Sequence, residues 1–310
     1  MLKILHLDEN HELLKNELSN LGFENCFDFD SSKKEIENKL EKYHGIILRS
    51  RITIDKVFLD KGINLKFIAR VGSGTENIDV VYANKKLIKI ISAGEANANA
   101  VSEHALGMIL SLKNRILKSN NEIKEGLWLR EKNRGIEIKG KTVGIIGYGK
   151  TGKSFAEKLN ALGANVLCND IIPNKGDNYA MQVSINEIKE KSNIISLHTN
   201  LNETSLFLIN NYFIDECKNP FYIINTSRGE CLKTSDLVEG LKSGKILGAC
   251  LDVIENESTS FEEIDSNNDL DYLKNSKNVI ITPHIAGWTY ESKVNLSKVI
   301  LEKIKHIFDL

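Results

Sequence analysis

No apolar run in this sequence approaches the roughly 20 residues that a bilayer-spanning helix needs, so no membrane association is expected. The opening stretch Met1–Asp8 is too short and too polar for a secretory signal and reads as a first strand. An excess of one charge is also lacking: 41 Lys and Arg stand against 42 Asp and Glu, a net charge of -1. That balance gives no basic footprint for nucleic acid. Paired cysteines are absent. Cys26, Cys168, Cys217, Cys231 and Cys250 are scattered, odd in number and without a CxxC pair. This argues against a disulfide frame or a metal site, and for free thiols in a reducing cytoplasm. Cys168 and Cys250 lie in apolar runs and read as small core residues. Proline occurs three times and no low-complexity linker appears, so any domain boundary must be tight.

What is present is alternation. Apolar runs at Lys3–Leu7, Gly45–Leu48, Leu65–Ala69 and Ile88–Ile91 are separated by amphipathic stretches such as His11–Leu21 and Ile54–Asp60. A second series follows at Thr142–Ile146, Asn165–Asn169, Asn193–His198, Tyr222–Asn225, Ile246–Val253 and Val279–Ile281. Strands separated by helices predict parallel βαβ units, and 310 residues suffice for two domains. Two long helical patterns, about 100–125 and about 291–307, divide the two series and end the chain. A final helix returning to the first domain would make the chain cross the junction twice, leaving a cleft for ligands.

After Thr142–Ile146 comes Gly147-Tyr148-Gly149-Lys150-Thr151-Gly152, then a helical pattern, then a strand ending at Asp170. Gly147 suits a tight turn, Gly149 a close approach to a pyrophosphate, and Gly152 close packing of helix on strand. The helix N-terminus offers N–H groups and partial positive charge to phosphates. Asp170, 18 residues past Gly152, can accept from ribose hydroxyls and would repel a 2′-phosphate. NAD is therefore expected over NADP. The rival readings are a structural glycine turn and a methyltransferase with a similar turn.

Three blocks place ionisable residues at predicted strand ends: Ile224–Gly229 with Arg228, Ala249–Glu257 with Asp252, and Thr282–Thr289 with His284. Sites in open α/β sheets form at such ends. Oxidising a 2-hydroxy acid needs a base for the hydroxyl proton, which suits histidine. It also needs a carboxylate to hold the imidazole and a guanidinium to clamp the substrate carboxylate.

With these blocks, Val71–Asp79 and the helix start Val101–Ala105, the chain resembles the D-isomer-specific 2-hydroxyacid dehydrogenases, and within them the phosphoglycerate dehydrogenases. The resemblance implies an α/β fold of two Rossmann-like domains with parallel sheets. A flavodoxin-like substrate domain would comprise 1–98 and 288–310, and a Rossmann NAD-binding domain 99–287. By it Arg228, Glu257 and His284 are catalytic, with Arg228 and His284 also touching substrate. The cofactor set is Gly147, Gly149, Lys150, Thr151, Gly152, Asp170, His198, Thr199, Thr226, Ser227, Asp252 and Gly287, with Asp252 at the nicotinamide end. Arg49, Ser73 and Gly74 join the substrate set, with Arg51 a further candidate.

There are departures. Ser258 follows Glu257 where the family has proline, leaving Glu255 a rival for the histidine's carboxylate; the spacing of five from Asp252 favours Glu257. Asn200 stands where the family has proline and receives no role. Trp288 reads equally as pocket or core, and His104 as a packing or hydrogen-bonding residue. The implied activity is 3-phosphoglycerate oxidation in serine biosynthesis, by a cytoplasmic homodimer joined partly through the 100–125 helix. The end at Leu310 would leave out an appended regulatory domain. Alternatives are a hydroxypyruvate, glyoxylate or D-lactate type reductase, or an NAD-sensing protein of the corepressor branch. Formate dehydrogenase is disfavoured, since its histidine pairs with Gln.

Overall fold

The computed structural model describes residues 1–255, 257 and 267–310; Ser258 lies outside them. They divide into two compact units, Met1–Asn97 with Trp288–Leu310, and Ala98–Gly287. In the first, strands β1 (Lys3–His6), β2 (Glu24–Phe27), β3 (Gly45–Leu48), β4 (Phe67–Arg70) and β5 (Lys89–Ser92) form a sheet ordered β2-β1-β3-β4-β5. Every pairing is parallel. This is the flavodoxin-like order, whose direction reverses between β1 and β3. The central strand β3 is buried along its length, as its continuous Gly-Ile-Ile-Leu run requires. The Tyr290–Phe308 helix packs Leu296, Ile300, Leu301 and Ile304 onto one face of this sheet. Its start is fixed by a capping box between Thr289 and Ser292.

The second unit holds β6 (Thr142–Ile146), β7 (Asn165–Asn169), β8 (Met181–Gln182), β9 (Ile194–Leu197), β10 (Phe221–Asn225), β11 (Ile246–Leu251) and β12 (Val279–Ile281), ordered β12-β11-β10-β9-β6-β7-β8 and again parallel. That is the Rossmann order, with its switch between β6 and β9. The α/β class and parallel sheets are as expected. Two strands were not. The edge strand β2 has no fully buried residue, and β8 is two residues long, so neither makes an apolar run.

The long 100–125 pattern is two helices, Ala98–Lys113 and Ile116–Lys124, broken at Arg115 with φ +54°. Leu112 O accepts from Arg115 N and Lys113 O from Ile136 N, which ends the first helix. Its Ala105, Met108 and Ile109 are spent in the unit's own core. The apolar stripe assigned to a dimer contact is therefore largely internal.

No described helix is long and apolar enough to cross a membrane. All five cysteines are free thiols. Among the described residues no group of three His, Cys, Asp or Glu is placed to hold a metal ion.

Candidate active site

The glycine turn sits at the switch point of the second sheet. Ile146 O accepts from His198 N at 2.8 Å, joining the ends of β6 and β9. Gly147 has φ +89°, and a Cβ there would lie 2.6 Å from His198 O. A Cβ on Gly152 would lie 2.2 Å from Gly147 O, whereas at Gly149 nothing stands within 4 Å. The outer glycines thus close the turn and the middle one faces open space. Gly149 caps the Lys150–Ala161 helix without a side-chain acceptor, so Lys150 and Thr151 begin an uncapped helix end suited to an anion. Asp170 follows β7. Its Oδ2 accepts from Tyr148 N at 2.7 Å and its Oδ1 from Ile172 N at 2.9 Å. Each oxygen keeps a lone pair for a further donor. The Tyr148 hydroxyl donates to Asp177 at 2.8 Å, where Lys153 also bonds, tying the turn to the loop beyond β7. An open glycine, an uncapped helix and a fixed half-exposed carboxylate fit a dinucleotide.

His198 directly follows β9. Its imidazole is buried against Phe155, with Nε2 2.9 Å from Ser196 Oγ, and burial pulls its pKa down to about 4. Its backbone, not its ring, borders the turn. Thr199 Oγ1 points at Cys231 Sγ, 3.5 Å away. Ser227 is also turned inward: its N and Oγ both donate to Asn225 Oδ1. Thr226 Oγ1 is buried with no partner among the described residues. These four side chains are turned into the unit's interior, and their backbone lies beside the turn and the arginine loop.

Asn225, to which the sequence reading gave no role, organises the next loop. Besides accepting from Ser227, it donates from Nδ2 to Arg228 O at 2.9 Å. An amide ending a strand before a loop is a turn-forming signal. Arg228 donates from its Nη1 to Ser227 O at 2.7 Å. Gly229 then makes a close approach: a Cβ there would lie 2.0 Å from Ile254 C and O. Only glycine lets the arginine loop lie against residues 254–255.

That contact separates the two acids. Glu255 Oε2 accepts from Thr234 N at 2.8 Å, at the start of the Thr234–Ser243 helix, a place that suits an acid. Glu257 Oε2 lies 2.7 Å from His284 Nδ1, and its Oε1 accepts from Ile254 N at 2.5 Å. The structure seats Glu257, not Glu255, at the histidine. A carboxylate at Nδ1 fixes the proton there in the neutral ring, leaving Nε2 as the basic atom.

His284 has φ +54°, a left-handed backbone that costs about 1–3 kcal/mol in a non-glycine residue. Asp252 holds it there. Asp252 O accepts from His284 N at 2.8 Å, Oδ1 from Ile285 N at 2.9 Å and Thr282 Oγ1 at 2.6 Å, and Oδ2 from Ala286 N at 2.8 Å. The residue is 1% exposed. Asp252 is therefore a clamp on the histidine loop. Gly287 follows the clamp, half-buried at the end of the second unit.

In the first unit the switch point lies between β1 and β3. There Arg49 N donates to Asp8 Oδ2 at 2.6 Å, and the Arg49 guanidinium stacks on Trp288 at 4.0 Å. Trp288 is thus exposed and not core, and it supports Arg49. Arg51 is different: it donates to the carbonyls of Leu7, Ser31 and Asp28, so its fork is spent on the fold. Ser73 Oγ donates to Asn97 Oδ1 at 3.0 Å, and Gly74 is buried beside it.

Residues 106–286 match the profile described as D-isomer specific 2-hydroxyacid dehydrogenase, NAD binding domain. The chain is 32% identical over 276 residues to D-3-phosphoglycerate dehydrogenase of Archaeoglobus fulgidus, covering 88% of this chain and 51% of that protein. It is 33% identical over 272 residues to hydroxypyruvate reductase of Thermotoga maritima, covering 88% and 87%. The structure of D-lactate dehydrogenase from Aquifex aeolicus complexed with NAD and lactic acid superposes with a TM-score of 0.83 at 26% identity, over 99% of this chain and 95% of that one. The chain thus spans about half the length of the phosphoglycerate dehydrogenase it matches and most of the reductase. It belongs to the D-isomer-specific 2-hydroxyacid dehydrogenase family and carries that family's NAD-binding domain.

Proposed function

We propose that this protein is an NAD-dependent oxidoreductase that interconverts a D-2-hydroxy acid and its 2-keto acid. The observation that carries this reading is the 2.7 Å contact of Glu257 with His284 Nδ1, beside the loop that presents Arg228. NAD, when bound, supplies the hydride acceptor. His284 Nε2 takes the hydroxyl proton as the C2 hydrogen leaves, and returns it to the carbonyl oxygen in the reverse direction. Glu257 holds the ring and stabilises the imidazolium. Arg228 grips the substrate carboxylate and polarises the carbonyl. The unit Ala98–Gly287 is the cofactor domain, and the unit of Met1–Asn97 and Trp288–Leu310 the substrate domain. Arg49, Ser73 and Gly74 of the latter bind substrate; Arg49 stands at a sheet switch point, where ligands of open α/β sheets gather.

The favoured substrate is 3-phosphoglycerate, oxidised to phosphohydroxypyruvate in serine biosynthesis in the cytoplasm. Identity to a phosphoglycerate dehydrogenase supports it, as does the Arg49 cation for a second anionic group. Hydroxypyruvate reduction is the second reading, favoured by the near-full-length match to the Thermotoga reductase. A NADH-oxidation screen over 2-keto acids, with and without a 3-phosphate, separates them. Faster turnover of the phosphorylated acid supports the first. Preference for hydroxypyruvate supports the second. Tight NAD binding with no turnover of any acid points to a sensor and overturns both.

A further inference from the structure

A partly buried hydrogen-bond chain reaches the histidine loop from a helix that carries none of the proposed catalytic groups. His104, on the Ala98–Lys113 helix, places Nε2 2.9 Å from Thr282 Oγ1. Thr282 Oγ1 lies 2.6 Å from Asp252 Oδ1. A carboxylate only accepts, and a hydroxyl has a single proton. Thr282 therefore donates to Asp252 and must accept from His104, which holds its proton on Nε2. The direct His104–Asp252 separation is 3.5 Å, too long for a strong bond, so the hydroxyl is the link. Asp252 in turn receives the N–H groups of Ile285 and Ala286, and its carbonyl receives that of His284.

We propose that His104 is a positioning residue: through Thr282 it orients Asp252, and so holds His284 in the left-handed backbone from which its ring reaches the reacting proton. The proposal rests on the reading of His284 as acid/base. His104 itself touches neither substrate nor reacting atoms. It removes the freedom of Asp252 to rotate away from the backbone groups it clamps.

The test uses the full chain with NADH and whichever of phosphohydroxypyruvate or hydroxypyruvate it reduces. Four single variants are compared: His104→Phe, His104→Gln, Thr282→Val and Thr282→Ser, with the double His104→Phe/Thr282→Val. Breaking the chain with Phe or Val should lower kcat by about 10- to 100-fold, the effect of misplacing a reacting group. NADH affinity should stay within about twofold and KM should move less than kcat. Gln and Ser, which keep a donor and a hydroxyl, should restore most of the rate. The double variant should be no worse than the poorer single, since both break one chain. Unchanged kcat in His104→Phe and Thr282→Val, or strictly additive losses in the double, overturns the proposal. So does a Gln or Ser variant as slow as its Phe or Val counterpart. His284→Ala separates the two levels. If it is inactive beside a fully active His104→Phe, only this inference fails; if it is fully active, the acid/base reading fails.

Discussion

Asp170 is held by both carboxylate oxygens, which accept from the backbone N–H groups of Tyr148 and Ile172, and we propose that the charge so fixed faces the cofactor ribose. Replacing Asp170 with Ala should weaken NADH binding and narrow the preference over NADPH, measured by fluorescence titration with both. Equal affinity of the parent for the two cofactors contradicts this. Glu257 and Glu255 show what residue reading alone left open. Two acids two positions apart both suit an imidazole; that one meets a helix start and the other His284 is a tertiary fact. For His198 and Asp252 the protein contacts were not legible, because burial is not written in a lone polar residue. Lys113 went unnoticed altogether. It is 4% exposed and stacks on Tyr222 at 4.5 Å, and burial, with Lys141 adding repulsion, pulls its pKa down to about 8. The unfolded chain keeps that proton to about pH 10. Between these values the unfolded state binds more protons, so stability contributed here rises with pH; below about 8 the full cost remains. Lys113→Met should be more stable than the parent at neutral pH by on the order of 1–2 kcal/mol, with the gap closing as pH rises. Urea melts at two pH values decide it; a variant less stable at neutral pH contradicts it.

At the scale of elements, hydropathy located the interior strands of both sheets and the terminal helix. What it merged was the pair Ala98–Lys113 and Ile116–Lys124, since Arg115 carries no helix-breaking signature and is left-handed only in context. Loops were legible as chemistry and not as contacts. Gly229 belongs to a recognised block, yet its reason is the backbone of Ile254 lying where a Cβ would stand. Gly229→Ala must push these segments apart. Turnover should fall at least about tenfold, because Arg228 and Glu257 lose their common alignment, while NADH binding is kept. A fully active Gly229→Ala enzyme contradicts the proposed role of that approach.

At the scale of the molecule, each sheet places a charged or glycine-rich loop at its own switch point: Asp8 with Arg49 in one, Gly147 with His198 in the other. The fold class was legible from alternation, and the topologies from resemblance. A homodimer is proposed, but through a different surface from the buried stripe. The Ile116–Lys124 helix buries none of its residues, and Ile116, Leu117, Ile123, Leu127 and Trp128 are exposed, an apolar group of the kind that marks an interface. Ile123→Glu with Trp128→Ser should convert a dimer to a monomer in sedimentation; a parent that sediments as a monomer at every concentration contradicts this. The central claim, that His284 moves the proton with Glu257 behind it, is tested most directly by turnover of His284→Ala, Glu257→Gln and Glu255→Gln side by side with NADH affinity. Expected are a loss of about 10²–10⁴-fold for His284→Ala, the usual worth of a placed acid/base, a clear loss for Glu257→Gln, near-parent rates for Glu255→Gln, and NADH binding intact in all three. Parent-like turnover by His284→Ala on the substrate the enzyme prefers would contradict it.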